Sequence, residues 1–223
     1  MLEIQKRYVV DMAKQAEEWG LCKHRAGNSS VRDKETGYVC VTPTGVDKKL
    51  LTPRDIVVMD LEGKVMEAES GLRPTSESLM HLEIYKARPD IFAVSHTHSV
   101  YGTSFSVLNK PIPAVVYECA ILNLKDAVIP VAPYARPGTP ELSTSVIEPI
   151  KRADAVLIAR HGVVAVDADP YEAVLKAAYI EEMAEIYYHL LQLTGGKEPE
   201  VFEAAELQKW AYPKEITLLD NQK

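Results

Sequence analysis

Residues 91–98 read Ile-Phe-Ala-Val-Ser-His-Thr-His, an apolar run that passes directly into a His-x-His pair. Such a run without a charge fits a buried strand. Strand side chains alternate in direction, so His96 and His98 share a face and both imidazoles can reach one ion. Residues 155–162 repeat the arrangement: Ala-Val-Leu-Ile leads through Ala159 and Arg160 to His161-Gly162. Imidazoles at the ends of buried strands are costly without partners. Metal sites that do chemistry take three protein ligands and keep one position for water or substrate. His161 is the natural third ligand beside His96 and His98, and zinc is a metal that imidazole suits. The other histidines read as ordinary: His24 lies near a glycine loop, and His81 and His189 fall in helices as surface or core-edge residues.

Working outward, Asp169-Pro170 supplies a cap and a first-turn proline for a helix that ends before Gly195-Gly196. Its apolar stripe is Ala173, Ala177, Ile180, Ala184, Tyr187 and Leu191. Residues 1–19 predict a second amphipathic helix, with Tyr8, Met12, Ala16 and Trp19 on its stripe and Gly20 as its stop. Residues 38–42 and 56–60 read as strands, and residues 61–64 as a turn returning through Val65 and Met66. Pro74-Thr75-Ser76-Glu77 opens a hydroxyl-capped helix running to Ala87. A loop over 131–138 precedes a helix beginning near Pro140, and the polar tail after Gly196 is expected to be mobile.

With 223 residues, 47% of them hydrophobic, the chain can build one large core, and a single domain over 1–223 is expected. Its N-terminus breaks its apolar residues with charges, and no window reaches the ~18 consecutive apolar residues of a membrane span. Neither a signal peptide nor a membrane anchor is expected. Cys22, Cys40 and Cys119 are odd in number and widely spaced, which fits a reducing cytoplasm better than a disulfide framework. A formal net charge of −7 argues against nonspecific nucleic-acid binding, which needs excess Lys and Arg. A small anion is still compatible, because local backbone N–H groups and a metal can reverse the potential.

Three segments have the character of anion loops. Ala26-Gly27-Asn28-Ser29-Ser30 combines a glycine with three side chains able to donate hydrogen bonds, and Thr42-Pro43-Thr44-Gly45 resembles it. Thr75-Ser76 stands at a helix N-terminus, where unpaired N–H groups and the dipole favour an anion. Glu77 is either a first-turn acid that complements the dipole or, beside a bound cation and a carbon acid, a general base.

In order, Gly27-Asn28-x-Ser30, Thr44-Gly45, Ser76-Glu77, His96-Thr97-His98 and His161-Gly162 resemble the motifs of the class II aldolase and adducin-head family, closest to its L-fuculose-1-phosphate aldolase branch. Ile112-Pro113-Ala114 with Tyr117, Ala132-Pro133-Tyr134-Ala135 and Gly138-Thr139 extend the resemblance over residues 5–195. It implies an α/β fold: a three-layer α/β/α single domain with a central, largely antiparallel sheet, assembled as a homotetramer with active sites between subunits. It implies zinc, or another divalent ion such as Mn2+ or Co2+, on His96, His98 and His161, with Glu77 as exchangeable ligand and base. Tyr117 and, in a looser match, Tyr212 are implied as further catalytic residues. Gly27, Asn28, Thr44, Gly45, Thr75 and Ser76 are implied to carry the phosphate of a ketose 1-phosphate. Cleavage through a zinc-stabilised enediolate would give dihydroxyacetone phosphate and an aldehyde such as lactaldehyde.

Arg25 departs from the pattern, since the branch has a small residue there; it either adds a bidentate phosphate contact or alters which substrate fits. The competing enzymatic readings are L-ribulose-5-phosphate 4-epimerase, which carries Asp at the position of Glu77, and related sugar-phosphate dehydratases or decarboxylases. A non-catalytic adducin-like scaffold is disfavoured, because the three histidines and the acid are all present.

Overall fold

Alternation along the strands decides which side chains meet in this protein, whose computed structural model describes residues 1–209. Five strands come first along the chain: β1 (Asn28–Arg32), β2 (Val39–Val41), β3 (Val57–Met59), β4 (Val65–Glu67) and β5 (Ala93–Thr97). A small ladder of β6 (Ile112–Pro113) and β7 (Val128–Ile129) follows, then β8 (Val131–Ala132), β9 (Ala155–Ile158) and β10 (Gly162–Asp167). The main sheet has the order β4-β3-β2-β1-β5-β10-β9-β8; β8 runs parallel to β9 and the other joins are antiparallel.

Each central strand divides its side chains between two cores. Val163 and Ala165, Ala155 and Leu157, and Ala93 enter one core, while Val164 and Val166, Val156 and Ile158, and Val94 enter the other. The first core is closed by α1 (Glu3–Glu18), by Phe105 of α3 (Val100–Val107) and by α6 (Pro170–Leu193). The second is closed by α2 (Ser78–Ala87), α4 (Pro140–Ser145) and α5 (Ile147–Ile150). The result is the three-layer α/β/α arrangement with a largely antiparallel sheet that the resemblance implies. Burying a side chain such as Val164 or Ile158 completely contributes about 1.5–3 kcal/mol.

Helix positions follow from local chemistry, with two corrections. The Asp169 carboxylate caps α6 by accepting from the Tyr171 and Glu172 N–H groups, and Thr139 caps α4 by accepting from Leu142. In α1, however, the buried face is Lys6, Val9, Val10, Met12, Ala13 and Ala16; Tyr8 and Trp19 of the expected stripe are exposed. Tyr8 lies one residue, or about 100° of rotation, from Val9, which takes the core position instead. Trp19 ends edge-on to Tyr171 at the rim. In α2 the N-cap is Glu77, not a hydroxyl residue, and its carboxylate caps nothing.

The segment after Gly196 is docked over the described stretch. Glu198 accepts from Tyr187 Oη and pairs with Lys110 at 2.5 Å, the Phe202 N–H donates to the Ala114 carbonyl at 2.8 Å, and Leu207 of α7 (Ala204–Leu207) is buried. Among the described residues no helix is long and apolar enough to cross a membrane.

Candidate metal centre

His96 belongs to the α2-facing side of β5, the side of Val94, and His98 follows just past the strand end. His161 stands in the tight connection between β9 and β10, where its N–H donates to the Ile158 carbonyl at 3.0 Å. Gly162 makes this convergence possible. A Cβ there would lie 2.4 Å from the Thr97 carbonyl oxygen, 2.9 Å from His98 Cδ2 and 3.2 Å from His96 Cε1. The three rings form a near-equilateral triangle, with centroid separations of 4.8, 4.8 and 4.9 Å.

Glu77 closes the group from the N-terminus of α2. Its Oε2 is 3.3 Å from His96 Nε2 and its Oε1 is 3.2 Å from His161 Nε2, while His96 Nε2 and His98 Nε2 are 3.0 Å apart. A tetrahedral ion with ligands about 2.0–2.1 Å away would separate its donors by about 3.3 Å, so the spacing fits one small cation. One donor from each of Glu77, His96, His98 and His161 lies within 4.8 Å of the others. His96 Nδ1 donates to the Val163 carbonyl at 2.8 Å, which fixes the tautomer and turns the Nε2 lone pair into the cluster. Among the described residues Glu77 Oε1 is buried without a hydrogen-bond donor, an unmet acceptor aimed where a cation would sit.

The electrostatics agree with a cation site. Burial alone would raise the Glu77 carboxyl, but His96, His161 and the Asn28 amide outweigh it and hold Glu77 as an anion, well below the usual carboxylate range. Burial, with the charge on His96 second, pushes His98 down to about 3 and His161 to about 4, so both are neutral and able to ligate. At His96 burial opposes protonation, yet Glu77 beside it prevails and raises its pKa. The pocket therefore favours one positive charge next to one carboxylate, and a metal ion supplies that charge without a proton.

Behind Glu77 runs a buried relay. Asn28 Nδ2 donates to Glu77 Oε2 at 2.8 Å, His81 Nε2 meets Asn28 Oδ1 at 2.5 Å, Ser30 Oγ meets His81 Nδ1 at 2.7 Å, and Tyr85 Oη meets Ser30 Oγ at 2.8 Å. Asn28 Oδ1 can only accept, so His81 carries its proton on Nε2 and accepts at Nδ1. Burial, with His96 second, lowers the His81 pKa to about 3 and keeps the ring neutral. His81 is thus a fully buried member of the site, not a surface or core-edge residue. The spacing was in the sequence, with Glu77, His81 and Tyr85 four apart on one helix face and Asn28 and Ser30 two apart on one strand face, but the packing of those two faces against each other was not.

The three expected anion loops adjoin one another. The Thr42 N–H donates to the Ser29 carbonyl, the Thr75 N–H to the Thr42 carbonyl and the Thr44 N–H to the Arg73 carbonyl, each at 3.0 Å. Among the described residues the N–H groups of Gly27, Gly45 and Ser76 have no acceptor, and each belongs to a different loop of this ring. Ser29 and Ser30, expected in the first loop, lie instead in β1, and the Ser30 hydroxyl is committed to the relay. The Asn28 amide is likewise committed to Glu77 and His81. Thr75 Oγ1 accepts from the Glu77 N–H at 3.4 Å. Arg25 is exposed beside Ala26, and Tyr117 is 38% exposed at the start of a 3-10 segment, its ring 6.0 Å from that of Phe202. Tyr212 lies outside the described residues.

Fold and site together define an α/β protein with a cluster of three histidines and one carboxylate able to hold a metal ion, beside a ring of three adjoining loops. The chain belongs to the family described as Class II Aldolase and Adducin N-terminal domain, which matches residues 7–188. It is 38% identical to the L-fuculose phosphate aldolase of Escherichia coli O6:H1 over 188 residues, covering 84% of each chain. It is 37% identical to the 5-methylthioribulose-1-phosphate/5-deoxyribulose-1-phosphate aldolase of Rhodospirillum rubrum over 201 residues, covering 90% of this chain and 86% of that one. Among solved structures it is similar to an L-fuculose 1-phosphate aldolase, with a TM-score of 0.84 and 35% identity over 92% of each chain. With the histidines and Glu77 all present, the chain stands on the aldolase side of this family, as an aldehyde-lyase.

Proposed function

We propose that this enzyme cleaves a ketose 1-phosphate reversibly into dihydroxyacetone phosphate and an aldehyde, with zinc as its metal. The observation that carries the proposal is Glu77, an anion held 3.2 and 3.3 Å from two of the histidines and steered by the Asn28 amide. Three imidazoles and a carboxylate suit zinc, and Mn2+ or Co2+ fits the same donors less selectively. When bound, the metal supplies Lewis acidity toward the oxygens of a substrate carbonyl and its neighbouring hydroxyl.

The chain's own residues do the rest. The ring carrying Gly27, Gly45 and Ser76 holds the phosphate through N–H donors, with Asn28, Thr44 and Thr75 shaping it, and fixes which carbon faces Glu77. In synthesis the Glu77 carboxylate takes a proton from C3 of dihydroxyacetone phosphate, the C3 electron pair forms the C3–C4 bond to the aldehyde carbon, and Tyr117, contributed from a neighbouring subunit of a cyclic homotetramer, gives its phenolic proton to the aldehyde oxygen, which becomes the C4 hydroxyl. Cleavage is the reverse: the C4 hydroxyl proton returns to Tyr117, the C3–C4 electron pair passes to the C2 carbonyl, and C3 regains the proton held by Glu77. Arg25 borders the phosphate.

Relatives named for L-fuculose phosphate and for 5-methylthioribulose or 5-deoxyribulose 1-phosphate share the phosphate-bearing end and differ beyond the bond cleaved. The ketose 1-phosphate end is therefore the part of the substrate this site holds, and the aldehyde is identified by assay. Elemental analysis should find about one zinc per chain. A coupled assay on the same sample should detect dihydroxyacetone phosphate released from L-fuculose 1-phosphate or 5-deoxyribulose 1-phosphate. Metal without release from any ketose 1-phosphate would transfer the site to epimerase, dehydratase or decarboxylase chemistry.

A further inference from the structure

Lys48 is a lysine only 3% exposed, and its ammonium donates to the carbonyl oxygen of Ala26. Among the described residues it makes no ion pair; Glu17, which shares the neighbourhood of the Cys22 thiol with it, stays outside pairing distance. A buried cation satisfied by one neutral carbonyl carries a desolvation penalty that an anion nearby would offset. Its charge is also felt at His96 and His98.

Its position connects two of the anion loops. Lys48 begins a 3-10 turn (Lys48–Leu50) three residues after Gly45, while Ala26 directly precedes Gly27. The peptide between Ala26 and Gly27 is trans and planar, so its C=O and N–H point in opposite directions. An ammonium holding the Ala26 carbonyl on one side therefore turns the Gly27 N–H, which has no acceptor among the described residues, to the other. Gly27 itself, at φ 74°, is packed so closely that a Cβ would lie 2.5 Å from Cys22 Sγ and 2.6 Å from the His96 carbonyl oxygen, so the peptide has little other freedom.

Building on the reading of this ring as the phosphate site, we infer that Lys48 is a positioning residue for the substrate phosphate. It aims the Gly27 N–H, ties the Gly27 loop to the Gly45 loop, and places an unneutralised positive charge beneath the anion.

The test uses the full-length, metal-loaded protein with inorganic phosphate as probe, titrated calorimetrically against wild type, Lys48→Arg, Lys48→Gln and Lys48→Met, with metal content measured on each. Expected is a loss of phosphate affinity of about tenfold or more in Lys48→Met. Lys48→Gln, which can still donate to Ala26, should bind between wild type and Lys48→Met, Lys48→Arg should recover most of the affinity, and metal content should be unchanged throughout. Equal phosphate binding by wild type, Lys48→Gln and Lys48→Met would overturn the role of Lys48 while leaving the phosphate site standing. Loss of phosphate binding only in step with loss of metal would also overturn it. Failure of the wild type itself to bind phosphate would remove the phosphate site and the inference together.

Discussion

Glu77 and Asn28 face each other across the gap between α2 and β1, and their contact separates two kinds of function at the scale of single residues. Glu77→Gln keeps the shape and leaves three imidazoles for the metal, so metal content should persist. Exchange of the carbon-bound proton of dihydroxyacetone phosphate with solvent, followed by NMR in deuterium oxide, should slow about 10²–10⁴-fold. Unchanged exchange would take the proton transfer away from Glu77. Asn28→Ala acts differently, because it strands the His81 Nε2–H and removes the donor that steers Glu77 Oε2. Metal affinity, read by competition with a chromophoric chelator, should fall about 10–100-fold, as it does when outer partners of metal ligands are removed. An affinity equal to wild type would show that the relay orients nothing.

Among the elements, the β9–β10 connection brings His161 beside two histidines some sixty residues earlier, and Gly162 sets how closely they approach. Gly162→Ala places a methyl group against the Thr97 carbonyl of the adjoining strand, a backbone atom that cannot swing aside. We expect a loss of about 1–3 kcal/mol, hence a fall in melting temperature of several degrees, accompanied by reduced metal content. A variant that melts and binds metal like wild type would show that the strands can separate without disturbing the triangle. The strands, α6 with its Asp169 cap, and the pairing of His96 with His98 were legible in sequence because each rests on local periodicity or capping. The burial of His81 and the reach of Lys48 to Ala26 were hidden, since each depends on which segment packs opposite. The same holds for Tyr8 against Val9: the helix is encoded locally, but its buried face is chosen by the sheet. The serines of residues 26–30 looked like loop donors because hydroxyl side chains mark turns, yet tertiary pairing with β2 and β5 made them strand.

At the scale of the whole molecule, acid should weaken the fold through histidines that it keeps neutral. His81, its pKa pushed down to about 3 by burial, gains a proton on unfolding once the pH drops below its ordinary value near 6.5. The unfolded state then binds more protons, so stability is fully present above about pH 6.5 and is lost progressively as the pH falls toward 3, by up to about 1.4 kcal/mol per pH unit for one such group. Urea unfolding of metal-free protein between pH 7 and 4 measures this slope, and a flat profile would mean that His81 protonates in place. The ends of the sheet carry a separate consequence. β8 has two residues, and β4 has three, with Glu67 tied to the N-terminal ammonium and to Lys6. Among the described residues neither margin offers a long row of unpaired amides, which is the template that another chain's strand would extend. Self-association through continuous cross-strand ladders is thereby discouraged, and even at high concentration contact between copies is left to side chains on helices and loops, where surface chemistry can discriminate among partners.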